Sequence, residues 1–140
     1  MAGKVLIVDD NPDIVALLRA NLRMAGFETS EAQNGEVALR RIEEDLPDVI
    51  LLDLMMPVLD GWGVLEALKD RPNRPAVVVV TAAESPANVE RAQRLGISGY
   101  VTKPFNLVSL LDLVRSLVEG GPRTDPNTTG PARSRRPEAV

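Results

Sequence analysis

Five polar residues stand at or just beyond the ends of apolar runs in this 140-residue chain. Asp9 and Asp10 follow Lys4–Val8, Asp53 follows Val49–Leu52, Thr81 follows Ala76–Val80, and Lys103 lies just past Ile97–Val101. The chain contains no histidine and no cysteine. That excludes the usual zinc ligand and general base, thiol nucleophiles, disulfides and iron–sulfur clusters. Carboxylates gathered at one place repel and raise one another's pKa. A hard divalent cation relieves this, and an oxygen-only site with few carboxylates suits Mg2+. An ionised aspartate is already a nucleophile and can form an acyl phosphate without a general base. A metal and an ammonium would stabilise the oxygens of the transferring group.

These residues can act together only if the fold places them together. Five short apolar runs alternate with five helix-like stretches. Lys4–Val8, Val49–Leu52 and Ala76–Val80 are continuous and rich in β-branched residues; 27–32 and 97–101 read as weaker strands. Asn11-Pro12-Asp13 and Ser85-Pro86 have the cap-then-proline signature of a helix start, and Asn106 can cap a last helix. Residues 14–22, 36–44, 62–68 and 107–117 carry apolar residues at helical spacing, with Gly26 and Gly96 as natural stops. Leu59 and Trp62 read as core residues. Strands that are apolar throughout are buried on both faces, so the expected fold class is α/β, a doubly wound five-stranded parallel sheet of (βα)5 type. In such a sheet ligands bind beyond the carboxyl ends of the strands. Asp9, Asp10, Asp53, Thr81 and Lys103 all fall on that edge.

The net charge of −4 is unevenly distributed. Residues 1–119 carry 18 acids and 12 bases, whereas residues 120–140 carry Arg123, Arg133, Arg135 and Arg136 against Asp125 and Glu138. An acidic body argues against nucleic-acid binding by the domain. No apolar run approaches the ~20 residues of a membrane span, and the N-terminus lacks a signal-type pattern. The expectation is a cytoplasmic protein with one domain over 1–119. Residues 120–140, rich in Gly, Pro and Arg and without periodic apolar residues, read as a disordered tail or linker.

Taken singly, each polar residue has a plainer reading. Asp10 could cap a helix, Asp53 could belong to a turn, Thr81 could cap the following helix, and Lys103 could be a solvated cation. Their convergence on one sheet edge favours a single site.

The segments Val-Leu-Ile-Val-Asp9-Asp10-Asn11, Asp53-Leu-Met-Met-Pro57-Val-Leu-Asp60-Gly61, Val-Thr81-Ala82 and Lys103-Pro104-Phe105 resemble the receiver domain of two-component response regulators. The resemblance spans about residues 3–119, with separations of 43, 28 and 22 residues from Asp10 to Asp53, Thr81 and Lys103 in turn. It implies a flavodoxin-like fold with strand order 2-1-3-4-5. Asp53 would accept a phosphoryl group from a phosphohistidine on a sensor histidine kinase or histidine phosphotransfer protein. Asp10, Asp53 and the backbone carbonyl of Met55 would ligate Mg2+, with Asp9 holding a metal-bound water. Lys103 and the Thr81 hydroxyl would bind phosphoryl oxygens, and a cis Lys103–Pro104 peptide would aim the ammonium inward.

The same resemblance makes Tyr100 the switch aromatic coupled to Thr81, changing the face made by the fourth helix, fifth strand and fifth helix for a downstream protein target. Met55 and Ala83 would flank the path of hydrolytic water. Neither can position water by hydrogen bonding, which implies unassisted dephosphorylation that is not among the fastest. Gly63 and Gly99 stand where the family commonly has polar side chains. The chain would be a signalling switch that assists only its own phosphorylation and dephosphorylation, not an enzyme acting on other substrates. A haloacid-dehalogenase-like phosphatase would need a second aspartate two residues after the nucleophile, where this chain has Met55. A phosphate-independent binding module is disfavoured because all five key positions are intact. The output stays open between a stand-alone receiver and the receiver fragment of a larger response regulator.

Overall fold

The computed structural model describes residues 3–120. Five strands, β1 (Lys4–Val8), β2 (Glu28–Ala32), β3 (Val49–Leu52), β4 (Ala76–Thr81) and β5 (Gly99–Thr102), alternate with five helices. The helices are α1 (Pro12–Met24), α2 (Gly35–Glu44), α3 (Gly61–Leu68), α4 (Pro86–Arg94) and α5 (Leu107–Gly120). All strand pairs are parallel and the sheet order is β2-β1-β3-β4-β5. The α/β class, doubly wound sheet and strand order expected from the sequence are those observed. The tail from residue 121 lies outside the described residues; Gly120 ends α5.

Period-two alternation explains why the central strands are apolar throughout. Val5 and Ile7 of β1, Val49 and Leu51 of β3, and Ala76, Val78 and Val80 of β4 pack beneath α1 and α5. Leu6 and Val8, Ile50 and Leu52, and Val77 and Val79 point the other way, beneath α2, α3 and α4. One register carries both cores, with Val5 opposite Val49 and Val49 opposite Ala76. Edge strand β2 alternates exposed and partly covered residues instead. Its outer rim is covered by charge: Arg41 donates to the Glu31 carbonyl at 3.1 Å, and Arg19 pairs with the Glu31 carboxylate at 2.6 Å.

Every helix starts on a side-chain cap. Asn11 accepts from Asp13 N, Asn34 from Val37 N, Asp60 from Gly63 N, Ser85 from Asn88 N and Asn106 from Ser109 N, at 2.9–3.2 Å. Each cap stabilises its helix by about 1 kcal/mol. Because each helix follows a strand, all five caps, and the positive ends of the helix dipoles, lie at the sheet edge reached by the strand ends. Two strand starts differ from expectation, and β4 and β5 each run one residue further, to Thr81 and Thr102. Phe27 belongs to the turn closing α1, its N–H bonded to the Leu22 carbonyl. β5 begins at Gly99, since Ile97 and Ser98 complete the α4 turn and only Ser98 N reaches Val77 O. No helix among the described residues is long and apolar enough to cross a membrane.

The loop from β3 to α3 is shaped by close backbone approach. A Cβ on Gly61 would lie 2.4 Å from the Asp53 carbonyl oxygen and 2.7 Å from Leu54 Cα. This lets Gly61 N bond Leu54 O at 3.0 Å and fold the loop back beneath Asp53. Side chains occupy the space beside two other glycines: a Cβ on Gly63 would lie 2.3 Å from Leu59 Cδ1, and one on Gly99 2.9 Å from Leu113 Cδ2. At the loop's apex Val58 holds φ +70° while 75% exposed, a left-handed conformation unfavourable for a β-branched residue. In urea unfolding, Val58→Gly is expected to stabilise the chain by about 1 kcal/mol by removing that strain. Gly61→Ala is expected to destabilise it by about 2–3 kcal/mol because backbone, not a flexible side chain, occupies the space. Equal stability of both variants would contradict this account of the loop.

Candidate functional site

The β1, β3 and β4 ends deliver Asp9, Asp53 and Thr81 as the buried polar or charged residues of the described chain, at 4%, 6% and 0% exposure. Asp10, one residue beyond Asp9, is exposed, and among the described residues its side chain has no hydrogen-bond or ion-pair partner. Asp9, Asp10 and Asp53 each offer a carboxylate oxygen, all within 4.8 Å of one another. Lys103 reaches in from beyond β5, where the Lys103–Pro104 peptide is cis. Its ammonium donates to Asp9 Oδ2 at 2.8 Å and Asp53 Oδ2 at 3.1 Å. Two backbone amides fix the remaining oxygens. Asn11 N donates to Asp9 Oδ1 at 2.9 Å, and Met55 N donates to Asp53 Oδ1 at 3.2 Å.

These contacts decide several of the plainer readings. Asn11, not Asp10, caps α1. Ser85, not Thr81, caps α4. Lys103 is not a solvated cation: its side chain is 19% exposed and doubly paired. Asp53 does form a turn, through Met55 N, and the same turn holds its carboxylate in the cluster.

Burial disfavours the ionised form of Asp9, and although hydrogen bonds from Lys103 and Asn11 oppose it, the Asp9 pKa is raised. Burial pulls Lys103 down as well, but two carboxylates together outweigh it and leave the ammonium held above its ordinary range. Lys103 therefore remains charged, and burial keeps the Asp9 pKa up despite that ammonium. Three carboxylates against one ammonium leave uncompensated negative charge at an edge that is open at Asp10. Oxygen-only donors, one of them unpartnered, match the donor set of a hard divalent cation.

Thr81 is buried at the end of β4, its Oγ1 accepting from Ala83 N at 3.3 Å. Tyr100 is half-buried against the α2–α3–α4 core, and its hydroxyl donates to the Ala83 carbonyl. The two side chains are thus linked through one residue of the β4–α4 loop, Ala83, whose N–H meets Thr81 and whose carbonyl meets Tyr100. Burial first, then the negative charges of Asp53 and Glu84, raises the phenol pKa.

Three contacts of this half of the molecule carry no sequence signature. They are the Asn11 amide on Asp9, the Arg91 guanidinium 4.1 Å from the Trp62 ring centroid, and the Arg74 side chain on the Leu95 carbonyl. Trp62 does pack against the core, as its spacing implies, and also serves as the platform for Arg91.

With Tyr100 as its one tyrosine, the chain should show a tyrosinate absorbance midpoint above the ordinary phenol value of 10.0. Glu84→Gln should lower that midpoint by removing one negative charge. Between pH 10.0 and the folded-state pKa the unfolded chain loses this proton and the folded chain keeps it, so Tyr100 makes stability fall as pH rises there. A midpoint at or below 10.0 would place the phenol in solvent.

Residues 5–115 match the family model of the response regulator receiver domain. The transcriptional regulatory protein PrrA of Mycobacterium leprae is 42% identical over 115 residues, covering 82% of this chain and 49% of PrrA. The response regulator PleD of Caulobacter vibrioides is 42% identical over 119 residues, 84% of this chain and 26% of PleD. The chain therefore spans about half the length of the first relative and a quarter of the second. Among solved structures, the Francisella response regulator 1452 receiver domain superposes with a TM-score of 0.80 at 32% identity, covering 85% of this chain and 98% of that one. The Vibrio cholerae chemotaxis response regulator CheY4 gives 0.77 at 29%, covering 84% and 99%. With a family match across most of its length and a fold shared over most of its length with solved receivers, this chain belongs to the response regulator receiver domain family.

Proposed function

We propose that this receiver is a Mg2+-dependent phosphorylation switch with Asp53 as acceptor. The observation that carries the reading is the Asp53 carboxylate, buried and fixed between Lys103 and Met55 N, beside two further carboxylates. One Asp53 oxygen attacks the phosphorus of a phosphohistidine on a sensor histidine kinase or phosphotransfer protein. The phosphorus–oxygen bond forms, the nitrogen–phosphorus bond breaks, and its electron pair stays on the imidazole. The chain has no histidine, so the donor must be a partner or a small phosphodonor.

Asp10, Asp53 and the Met55 backbone carbonyl would hold Mg2+, with Asp9 holding a bound water. The ion would supply positive charge to the phosphoryl oxygens. Lys103 supplies a cation of its own beside Asp53 and holds the Asp9 and Asp53 carboxylates together. Thr81 offers its hydroxyl to a phosphoryl oxygen once that hydroxyl leaves Ala83 N. Met55 and Ala83 lack hydrogen-bonding side chains for a hydrolytic water, which supports unassisted dephosphorylation that is not among the fastest.

The readout would be the α4–β5–α5 face, reached through Thr81, Ala83 and Tyr100, and presented to a downstream protein target. The chain acts on itself rather than turning over substrate, in the cytoplasm, where phosphodonor partners and Mg2+ are available. Its acidic body leaves nucleic acid to other parts of a larger regulator or to partners. The names of relatives such as PrrA suggest a transcriptional output for the assembly to which such a receiver belongs.

Incubation with acetyl phosphate and Mg2+ should add one phosphoryl group by intact mass, and Asp53→Asn should abolish it. Retained labelling in that variant would move the acceptor elsewhere. Calorimetric Mg2+ titration of Asp10→Asn should show affinity lowered at least ~10-fold, in line with the loss of one carboxylate ligand. Unchanged affinity would remove Asp10 from the ligand set.

A further inference from the structure

Helix α4 is fastened very unevenly along its length. It buries Ala92 alone, whereas α1, α2, α3 and α5 each bury three or four residues. Its first turn, Pro86 and Ala87, is exposed and carries no acid to complement the helix dipole. Its last turn is held through two arginines, one of its own and one from outside the helix. The Arg91 guanidinium lies over the Trp62 ring of α3, 4.1 Å from its centroid. Arg74, from the segment before β4, reaches across to donate to the Leu95 carbonyl at the α4 C-cap.

Arg74 is a built contact rather than a passing surface one. The side chain is partly buried, burial lowers its pKa, and no carboxylate lies within ion-pair distance among the described residues. A desolvated cation persists there because the unpaired carbonyls and negative dipole end of a helix C-terminus complement it. Gly96, at φ +85°, provides the room: a Cβ on it would lie 2.8 Å from Arg74 Nη1. At the other end, the loop 82–85 is tied to the sheet through Ala83, whose N–H bonds Thr81 Oγ1 and whose carbonyl receives the Tyr100 hydroxyl.

We infer that Arg74 and Arg91 form a pivot that holds the C-terminal end of α4 fixed against α3 while its N-terminal turn swings with the 82–85 loop. The inference rests on the switch reading of Asp53 and adds to it where the moving helix is anchored. If the Thr81 hydroxyl is drawn to a phosphoryl oxygen, the Ala83 N–H loses its acceptor and the loop shifts. A helix pinned at its far end converts that shift into a rotation rather than a translation. Arg74 and Arg91 touch neither Asp53 nor its ligands and act as positioning residues.

The absence of cysteine allows clean spin labelling of the full chain. Pairs Glu66→Cys/Ala87→Cys and Glu66→Cys/Arg94→Cys place a reference on well-buried α3 and a reporter at each end of α4. Pulsed electron resonance would be recorded with and without Mg2+ and beryllium fluoride, with fluorine NMR confirming bound fluoride. The pivot predicts a change of about 2 Å or more in the 66–87 distance and none in 66–94. With fluoride bound, equal displacement at both ends, movement at 94 alone, or no movement overturns the pivot and leaves the acceptor assignment standing. Absence of bound fluoride overturns the switch reading and the pivot with it. Arg74→Ala/Arg91→Ala should broaden the 66–94 distribution without any ligand. An unchanged width in folded protein would remove the arginines as its anchor, and the two wild-type-background pairs test the pivot even if that variant fails to fold.

Discussion

The arrangement of this receiver depends on one electrostatic constraint. Two buried carboxylates and a third at their rim must coexist at the end of a parallel sheet, with a single ammonium to hold them. Isolated ionised groups in such a place are costly, and only pairing or ligation makes them tolerable. Lys103 provides the pairing by bridging Asp9 and Asp53, and two backbone amides occupy one oxygen of each. What remains is an edge still short of positive charge. A divalent cation, or the cation-rich surroundings of a transferring phosphoryl group, answers the same deficit.

That constraint determines how the loops are built. Lys103 can reach both carboxylates only because β5 ends beside β4 and the chain turns sharply at Pro104. Asp53 can present its carboxylate only because the following loop folds tightly back, with Gly61 against the Asp53 carbonyl and Gly35 N bonded to Leu59 O. The exposed, left-handed Val58 is the local cost of closing that loop. Five capped helix N-termini at the same edge add partial positive charge without adding a side chain.

Much of this was legible from residue type and spacing, for a physical reason. A strand buried on both faces must be apolar at every position, so β1, β3 and β4 announce themselves, as do the polar residues that end them. Caps are local, so Asn11, Ser85 and Asn106 could be read from a few neighbours. The weaker strands were misjudged by one or two residues because their ends depend on pairing rather than composition. Phe27 is apolar like a strand residue, yet its N–H is spent on closing α1. The glycines at 63 and 99 had no meaning until Leu59 and Leu113 were seen to fill their missing side chains. Arg74 and Leu95, 21 residues apart, show no periodic relation at all, and a cation meeting a helix-end carbonyl looks in sequence like any surface arginine.

The distribution of packing also decides where a charge change at Asp53 can be felt. Val5–Val8 of β1, all of β3 and the β4 residues beside them are essentially without exposure and interdigitate with helices on both faces. Such interiors are close-packed and resist small displacements, so the sheet cannot absorb the change by deforming. α1, α3 and α5 are each sealed by several buried aliphatic residues. The segment after Thr81 has no comparable seal: its nearest ties are single hydrogen bonds at Ala83, and the helix beyond buries one alanine. In the proposed switch, a charge change at Asp53 would meet least resistance from Thr81 through the 82–85 loop to the first turn of α4, the least sealed part of the described fold. The stiffness of the sheet would make such a response directional, since among the described helices α4 is the one with fewest buried residues.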